Sequence, residues 1–147
     1  MNYFPDIPPI ENNQPRPFWS VMIPTYNSDH FLEETLKSIL AQDPGKDRMQ
    51  IEIVDDSSIG EPALETLKKL DLTTRVNYFR QKENVGLSRN WNTCVQRSRG
   101  EVVHILHQDD YVLPGFYQEI EKGFQNNPSI GAAICRCQIQ FQEVKII

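Results

Sequence analysis

Short apolar runs alternate with stretches of helical spacing along most of the chain. The first run, residues 19–23 (Trp-Ser-Val-Met-Ile), predicts a strand. Phe31, Leu32, Leu36, Ile39 and Leu40 then recur at helical spacing, which predicts a helix over 30–42 with one buried stripe. Either Asp29 or Ser28 can cap that helix, and Pro44-Gly45 ends it. Residues 49–54 alternate and then turn apolar, predicting a second strand. A second helix over 61–70 carries Leu64, Leu67 and Leu70, with Pro62 in its first turn. A polar-flanked strand over 75–79 follows, placed nearer a sheet edge. Leu87, Trp91, Cys94 and Val95 share one side of a third helix over 86–99. Residues 102–106 make a fourth strand, and Pro114 opens a fourth helix that Asn126-Asn127-Pro128 stops. Two more strands are predicted, over 130–134 and 137–146.

Strands that alternate with helices and are nearly continuous in apolar residues pair in parallel through crossovers. The expected fold is α/β, a Rossmann-like doubly wound and mostly parallel sheet with helices on both faces. Before it, residues 1–17 hold five prolines among polar residues and predict an extended arm. The remaining 18–147 are the size of a single domain.

Composition narrows the picture in three ways. Net charge is −5, and the 15 lysines and arginines are scattered, which argues against a nucleic-acid partner held by phosphate neutralisation. No apolar stretch approaches the roughly 18–20 residues of a membrane span, and the N-terminus lacks a basic start followed by an apolar block. A cytoplasmic protein without a membrane span is therefore expected. Three cysteines, Cys94, Cys135 and Cys137, fit a reducing compartment and no disulfide framework. All three are expected to be buried and inert, with Cys135 and Cys137 on the same face of a strand.

The polar residues carry the chemistry. In an open parallel sheet, ligands bind at the carboxyl ends of the strands, beside the topological switch point. Four polar clusters fall at those ends: Pro24-Thr25-Tyr26-Asn27, Asp55-Asp56-Ser57-Ser58, Glu83-Asn84-Val85-Gly86 and His107-Gln108-Asp109-Asp110. Each alone is ordinary turn and cap chemistry. Right-handed crossovers, however, bring all four to one edge. Asp109 and Asp110 are the awkward pair, because adjacent carboxylates about 4 Å apart repel by about 1 kcal/mol in water and about 4 at a half-buried site. Either they point apart into solvent or a cation belongs between them.

Neither a G-x-G-x-x-G after the first strand nor a G-x-x-x-x-G-K-[ST] occurs, so no glycine cradle is present for pyrophosphate. There is also no G-x-S-x-G elbow. A diphosphate at this acidic edge would need a divalent cation, Mg²⁺ or Mn²⁺, held by carboxylates.

The segments Ser20-Val-Met-Ile-Pro-Thr-Tyr-Asn27, Ile53-Val-Asp-Asp-Ser-Ser58, Glu83-Asn-Val-Gly-Leu-Ser-Arg-Asn90, Arg99-Gly-Glu-Val-Val103 and Gln108-Asp-Asp110 share order, spacing and strand context with one family. Over residues 19–128 the chain resembles the N-terminal half of a family-2 glycosyltransferase. That resemblance implies a GT-A fold, truncated at its C-terminus, with 18–147 as an incomplete nucleotide-sugar-binding domain. It also implies inverting transfer of a sugar from a nucleoside-diphosphate donor to an acceptor (saccharide, lipid or protein) that these residues do not specify. Pro24, Thr25 and Tyr26 would wall the base and ribose, and Asp56 would accept a hydrogen bond from the base, whereas Asp55 could equally cap the next turn. Arg89 would face the nucleotide. Asp109 and Asp110 match the end of a D-x-D-type motif and would hold Mg²⁺ or Mn²⁺, with Asp109 also on the donor. His107 stands where a first Asp is common, and could be a weak ligand, a ribose contact or a core histidine. The general base is expected outside the chain. A non-catalytic fragment that at most binds nucleotide or a protein partner is the competing reading. A nucleotidyltransferase-like enzyme is weaker, for want of a glycine- and lysine-rich loop after the first strand.

Overall fold

The computed structural model describes residues 7, 15–28 and 31–139. Contacts group the chain into two compact units, Met1–Pro114 and Gly115–Ile147.

The first unit is built on β1 (Trp19–Thr25), α1 (Phe31–Leu40), β2 (Met49–Asp55), α2 (Pro62–Lys69), β3 (Asn77–Arg80), α3 (Leu87–Arg97) and β4 (Val102–Ile105). The four strands form one parallel sheet in the order β3-β2-β1-β4. All seven residues of β1 and all seven of β2 are buried. Successive strand residues face opposite sides, so burial without alternation means that both faces are covered. Helix α3 packs against β1, β2 and β4, while α1 and α2 pack on each other. Leu32, Leu36 and Ile39 of α1 and Ala63 and Leu67 of α2 supply their buried stripes. The chain runs outward from β1 to β3 and returns to the other side of β1 for β4. The switch point is therefore between the carboxyl ends of β1 and β4.

The alternation at the start of β2 does not mark a solvated face. Gln50 and Glu52 do not face solvent; both are buried beneath the end of α3. Gln50 Nε2 donates to Glu52 Oε2 (3.0 Å) and to the Arg97 carbonyl (3.1 Å), and Arg97 pairs with Glu52. The Arg97 guanidinium also lies 4.0 Å over the Phe79 ring. Ser20 completes the network: its hydroxyl donates to Gln50 Oε1 (2.7 Å) and accepts from the Arg99 and Gly100 amides (3.0 and 2.7 Å). These contacts lock the turn between α3 and β4 onto β1. Within the lead-in, Arg16 donates to the carbonyls of Arg99 and Gly100, and Pro17 accepts from the Glu101 amide.

On the edge strand β4, burial pushes the His104 imidazole down to about 4. The unfolded chain binds that proton near the ordinary histidine value of about 6.5, so it holds more protons than the folded chain between those two pH values. Stability is thus expected to fall as pH drops from 6.5 towards 4, by at most about 1.4 kcal/mol per pH unit from this group. Urea midpoints at pH 7.5 and 5 should show the loss, and His104→Gln should flatten it.

The second unit holds α4 (Phe116–Asn126), entered through Gly115 in the left-handed conformation (φ 86°). No strand forms over 130–134, contrary to expectation. Three of its five residues are Gly131, Ala132 and Ala133, with no branched side chain to favour a pleat. No described strand pairs with the segment, and Ile134 is 96% exposed. Residues 137–139 are likewise irregular, and the rest of the expected sixth strand lies outside the described residues. Cys135 and Cys137 are therefore exposed rather than buried on a strand, and only Cys94 is a core thiol, pushed up to about 12 by burial. Among the described residues no helix is long and apolar enough to cross a membrane.

Candidate nucleotide and cation site

Each of the four strand tips is tied to its neighbour, so the carboxyl edge of the sheet is one connected surface. Thr25 ends β1 with its hydroxyl on Asp55 Oδ1 (3.3 Å), and its carbonyl accepts from the Asp56 amide (2.8 Å). Asn27 turns left-handed (φ 47°), a conformation that asparagine tolerates. From there its amide donates to Ser58 Oγ (2.8 Å), and its Oδ1 accepts from the Ile59 amide (2.9 Å). Ser57 is also left-handed (φ 61°), which folds Ser58 back onto Asp55.

Asp55 and Asp56 serve different neighbours. Asp55 is fully buried and accepts from Thr25, Ser58 and the Tyr78 hydroxyl (3.2 Å), with Arg80 Nε at 3.9 Å. Desolvation and the Asp55 charge raise the Tyr78 phenol to about 12, so it stays a donor. Asp56, 3% exposed, accepts the Val85 amide at Oδ1 (2.7 Å) and the Gly86 amide at Oδ2 (2.9 Å). Gly86 (φ 83°) stands at the N-cap of α3, so Asp56 braces the entry to that helix. Each of its oxygens keeps a second lone pair for another donor. Asn90 anchors the same helix from inside, donating to the Val54 carbonyl (2.8 Å) and accepting from Gln81 Nε2 (3.2 Å).

Across the switch point the connector is Gln108. Its Oε1 accepts from the Tyr26 amide (3.0 Å), and its Nε2 donates to the Tyr26 carbonyl (3.4 Å). The loop after β4 turns tightly, with the Asp110 amide on the His107 carbonyl (3.2 Å). His107 is half-buried, edge-on to Trp91 with centroids 5.0 Å apart.

The expected site residues thus divide into two groups. Pro24, Thr25 and Asp56 are buried and act as framework. Tyr26, Arg89, Asp109 and Asp110 are exposed at the edge. Among the described residues, the Arg89 guanidinium and the carboxylates of Asp109 and Asp110 make no hydrogen bond or ion pair. Arg89 also sits in the first turn of α3, where the helix dipole opposes a cation by about 0.3–1 kcal/mol. No three His, Cys, Asp or Glu side chains converge on a metal-sized site among the described residues. Two carboxylates are nonetheless hard oxygen donors of the kind Mg²⁺ and Mn²⁺ take, with the remaining positions open to phosphate and water oxygens. The donor set fits such an ion.

Gln108, Thr35 and Asn90 were not singled out by sequence reasoning. Thr35 did leave a signal, being a polar residue inside the apolar stripe of α1. Gln108 and Asn90 left none beyond their place in longer motifs.

Comparison with known proteins places this edge in context. The family model for glycosyl transferase family 2 matches residues 20–145. The chain is 33% identical over 136 residues to Uncharacterized protein MT1568 of Mycobacterium tuberculosis, covering 92% of this chain and 41% of that protein. It is 30% identical over 96 residues to poly(ribitol-phosphate) beta-N-acetylglucosaminyltransferase TarS of Staphylococcus aureus, covering 64% of this chain and 16% of TarS. The chain thus spans less than half the length of either relative. Among solved structures it superposes on residues 1–349 of S. aureus TarS in complex with UDP-GlcNAc, with TM-score 0.67, 22% identity, and coverage of 80% of this chain and 37% of that one. It also superposes on mannosyltransferase PcManGT from Pyrobaculum calidifontis in complex with GDP-Man and Mn²⁺, with TM-score 0.68, 24% identity, and coverage of 86% and 36%. Both likenesses show a shared GT-A fold. With the family match extending from β1 through the acidic loop and beyond, the chain belongs to glycosyl transferase family 2.

Proposed function

We propose that this chain is the donor-binding part of an inverting, divalent-metal-dependent glycosyltransferase that uses a nucleoside-diphosphate sugar. The observation that carries the reading is the division at the carboxyl edge. Thr25, Asp55, Asp56 and Ser58 are buried there and held by one another and by neighbouring amides, while Tyr26, Arg89, Asp109 and Asp110 are exposed. A dinucleotide fold would meet phosphate with glycine-loop amides, but here the amides of Val85 and Gly86 are already taken by Asp56. Phosphate must then be met by cations.

Tyr26 offers a half-exposed ring to the nucleotide, with its backbone held by Gln108. Asp56 accepts from the base on its free lone pairs. Arg89 faces the nucleotide with an uncommitted guanidinium. Asp109 and Asp110 would hold the cation, with Asp109 also reaching the donor. Such an ion, when bound, neutralises the diphosphate and stabilises the charge on the departing nucleoside diphosphate. In the transfer itself the acceptor hydroxyl attacks the anomeric carbon, the bond to the diphosphate oxygen breaks, and a base takes the hydroxyl proton. No described residue is assigned as that base. The free thiols are consistent with a reducing cytoplasmic setting.

A second reading, in which the chain binds donor but transfers nothing, is favoured by one observation. Every residue assigned above serves the donor, and none serves the acceptor. Calorimetry with UDP- and GDP-sugars, with and without Mn²⁺, tests the shared premise: binding should be markedly tighter with the metal than without it. Absence of nucleotide binding under every metal condition overturns both readings. Turnover on the same samples then separates them.

A further inference from the structure

Helix α1 carries a polar row along one side of its apolar stripe, formed by Thr35, Ser38 and, just past the helix end, Gln42. Spacings of three and four residues put these side chains on one face. All three bond the irregular loop that follows β4. Thr35 Oγ1 donates to the Gln108 carbonyl (2.9 Å). Ser38 Oγ accepts from the Val112 amide (3.1 Å). Gln42 Nε2 donates to the Leu113 carbonyl (3.1 Å).

Each side chain is also tied back to its own helix. Ser38 donates to the Thr35 carbonyl (2.8 Å) and Gln42 to the Ser38 carbonyl (3.2 Å), while the single Thr35 hydroxyl proton is shared between the Gln108 and Phe31 carbonyls (2.9 and 3.2 Å). A polar group with two anchors has little freedom to let the loop drift. The three attachments bracket Asp109 and Asp110, one before the pair and two after it, while both carboxylates stay exposed. Buried Leu106 and Val112 pin the loop at its two feet.

We infer that Thr35, Ser38 and Gln42 are positioning residues that hold Asp109 and Asp110 in an arch ready for a divalent cation. The inference rests on the reading of those two aspartates as cation ligands. Two adjacent like charges on a free loop would turn apart, and an ion would then have to order the backbone as it bound. Fixing the arch to a helix removes that ordering cost from the binding step. The polar row touches neither Tyr26 nor Arg89, so its effect should fall on the metal and not on the nucleotide.

The test is Mn²⁺ uptake, read as loss of the free-ion paramagnetic resonance signal, in the presence of UDP or GDP. Thr35→Val keeps shape and removes the donor, and should weaken uptake about fivefold, the equivalent of one lost hydrogen bond of about 1 kcal/mol. Ser38→Ala, at a half-buried position that tolerates truncation, should do the same. Thr35→Ser restores the hydroxyl and should return uptake to within about twofold of the wild type. Metal-free nucleotide affinity should not change in any variant. Folded Thr35→Val and Ser38→Ala chains with wild-type Mn²⁺ affinity overturn this inference alone, provided that Asp109→Asn abolishes uptake. A wild-type chain that takes up no Mn²⁺, or an Asp109→Asn, Asp110→Asn chain that takes it up normally, overturns the cation reading and this inference with it.

Discussion

Gly100→Ala is expected to destabilise the first unit by about 3 kcal/mol, at the upper end of overpacking costs. A Cβ at position 100 would stand 2.5 Å from the Ser20 nitrogen, 2.6 Å from the Trp19 carbonyl carbon and 2.9 Å from Ser20 Oγ. Two of those atoms are backbone in β1, which is buried along its whole length and paired on both sides. Relief would require β1 and the start of β4 to part. The same shift would break the bond from the Gly100 amide to Ser20 Oγ (2.7 Å) and loosen the Gln50–Glu52–Arg97 network behind it. Urea unfolding followed by tryptophan fluorescence reports on Trp19 and Trp91 together. Gly123→Ala is the contrasting substitution: it lies within α4 with nothing inside 4 Å of the added methyl, where helix propensity favours alanine by about 0.5–1 kcal/mol, so it should not lower the midpoint. An unchanged midpoint in Gly100→Ala would show that β4 can be displaced freely, contrary to the packing described.

The second large effect is on binding, and its sign depends on the metal. Replacing both Asp109 and Asp110 with Asn should weaken nucleotide-sugar binding in Mn²⁺ by about 100-fold, equivalent to about 2.7 kcal/mol. Without metal, the same double variant should bind equally or more tightly, because two carboxylates that repel the diphosphate are gone. Stability should hold or rise by about 1 kcal/mol or less, since both side chains are exposed and repel each other. Titration calorimetry on wild type and variant, each with and without Mn²⁺, gives all four corners of the cycle. Equal losses with and without metal would assign the aspartates to direct nucleotide contact and remove the cation from the reading.

Much of the sheet was legible because β1 and β2 are apolar over nearly their whole length, a pattern that parallel strands buried on both faces impose. The helices showed themselves by stripe and by Pro62 and Asn126-Asn127-Pro128. What escaped was set by contacts between distant segments. Gln50 and Glu52 look like the outward half of an alternating strand until Arg97, more than forty positions later, is seen covering them. Residues 130–134 look apolar enough for a strand, yet a strand is a pairing and no described partner adjoins them. At the site, the polar strand tips and the family resemblance together pointed to Tyr26, Arg89, Asp109 and Asp110, which are exposed and chemically distinctive. Local sequence could not separate Asp55 from Asp56. Only the structure shows Asp55 closed in by Thr25, Ser58 and Tyr78, and Asp56 bracing α3 through Val85 and Gly86.

The strand order has a consequence for how the molecule assembles. Trp19 pairs with Met49 and Glu52 with Asn77, so three strands can zip together through loops of a few tens of residues. Trp19 also pairs with Val102, and that contact closes a far longer stretch of chain. Pairings distant in sequence form late, because loop closure must be met before they contribute. Until β4 docks, β1 is an apolar strand with a bare edge, a template for other chains. Chaperone demand and aggregation during synthesis should therefore track how quickly β4 arrives. The acidic loop is delivered by that same strand, so Asp109 and Asp110 reach the sheet's carboxyl edge only when β4 docks on β1.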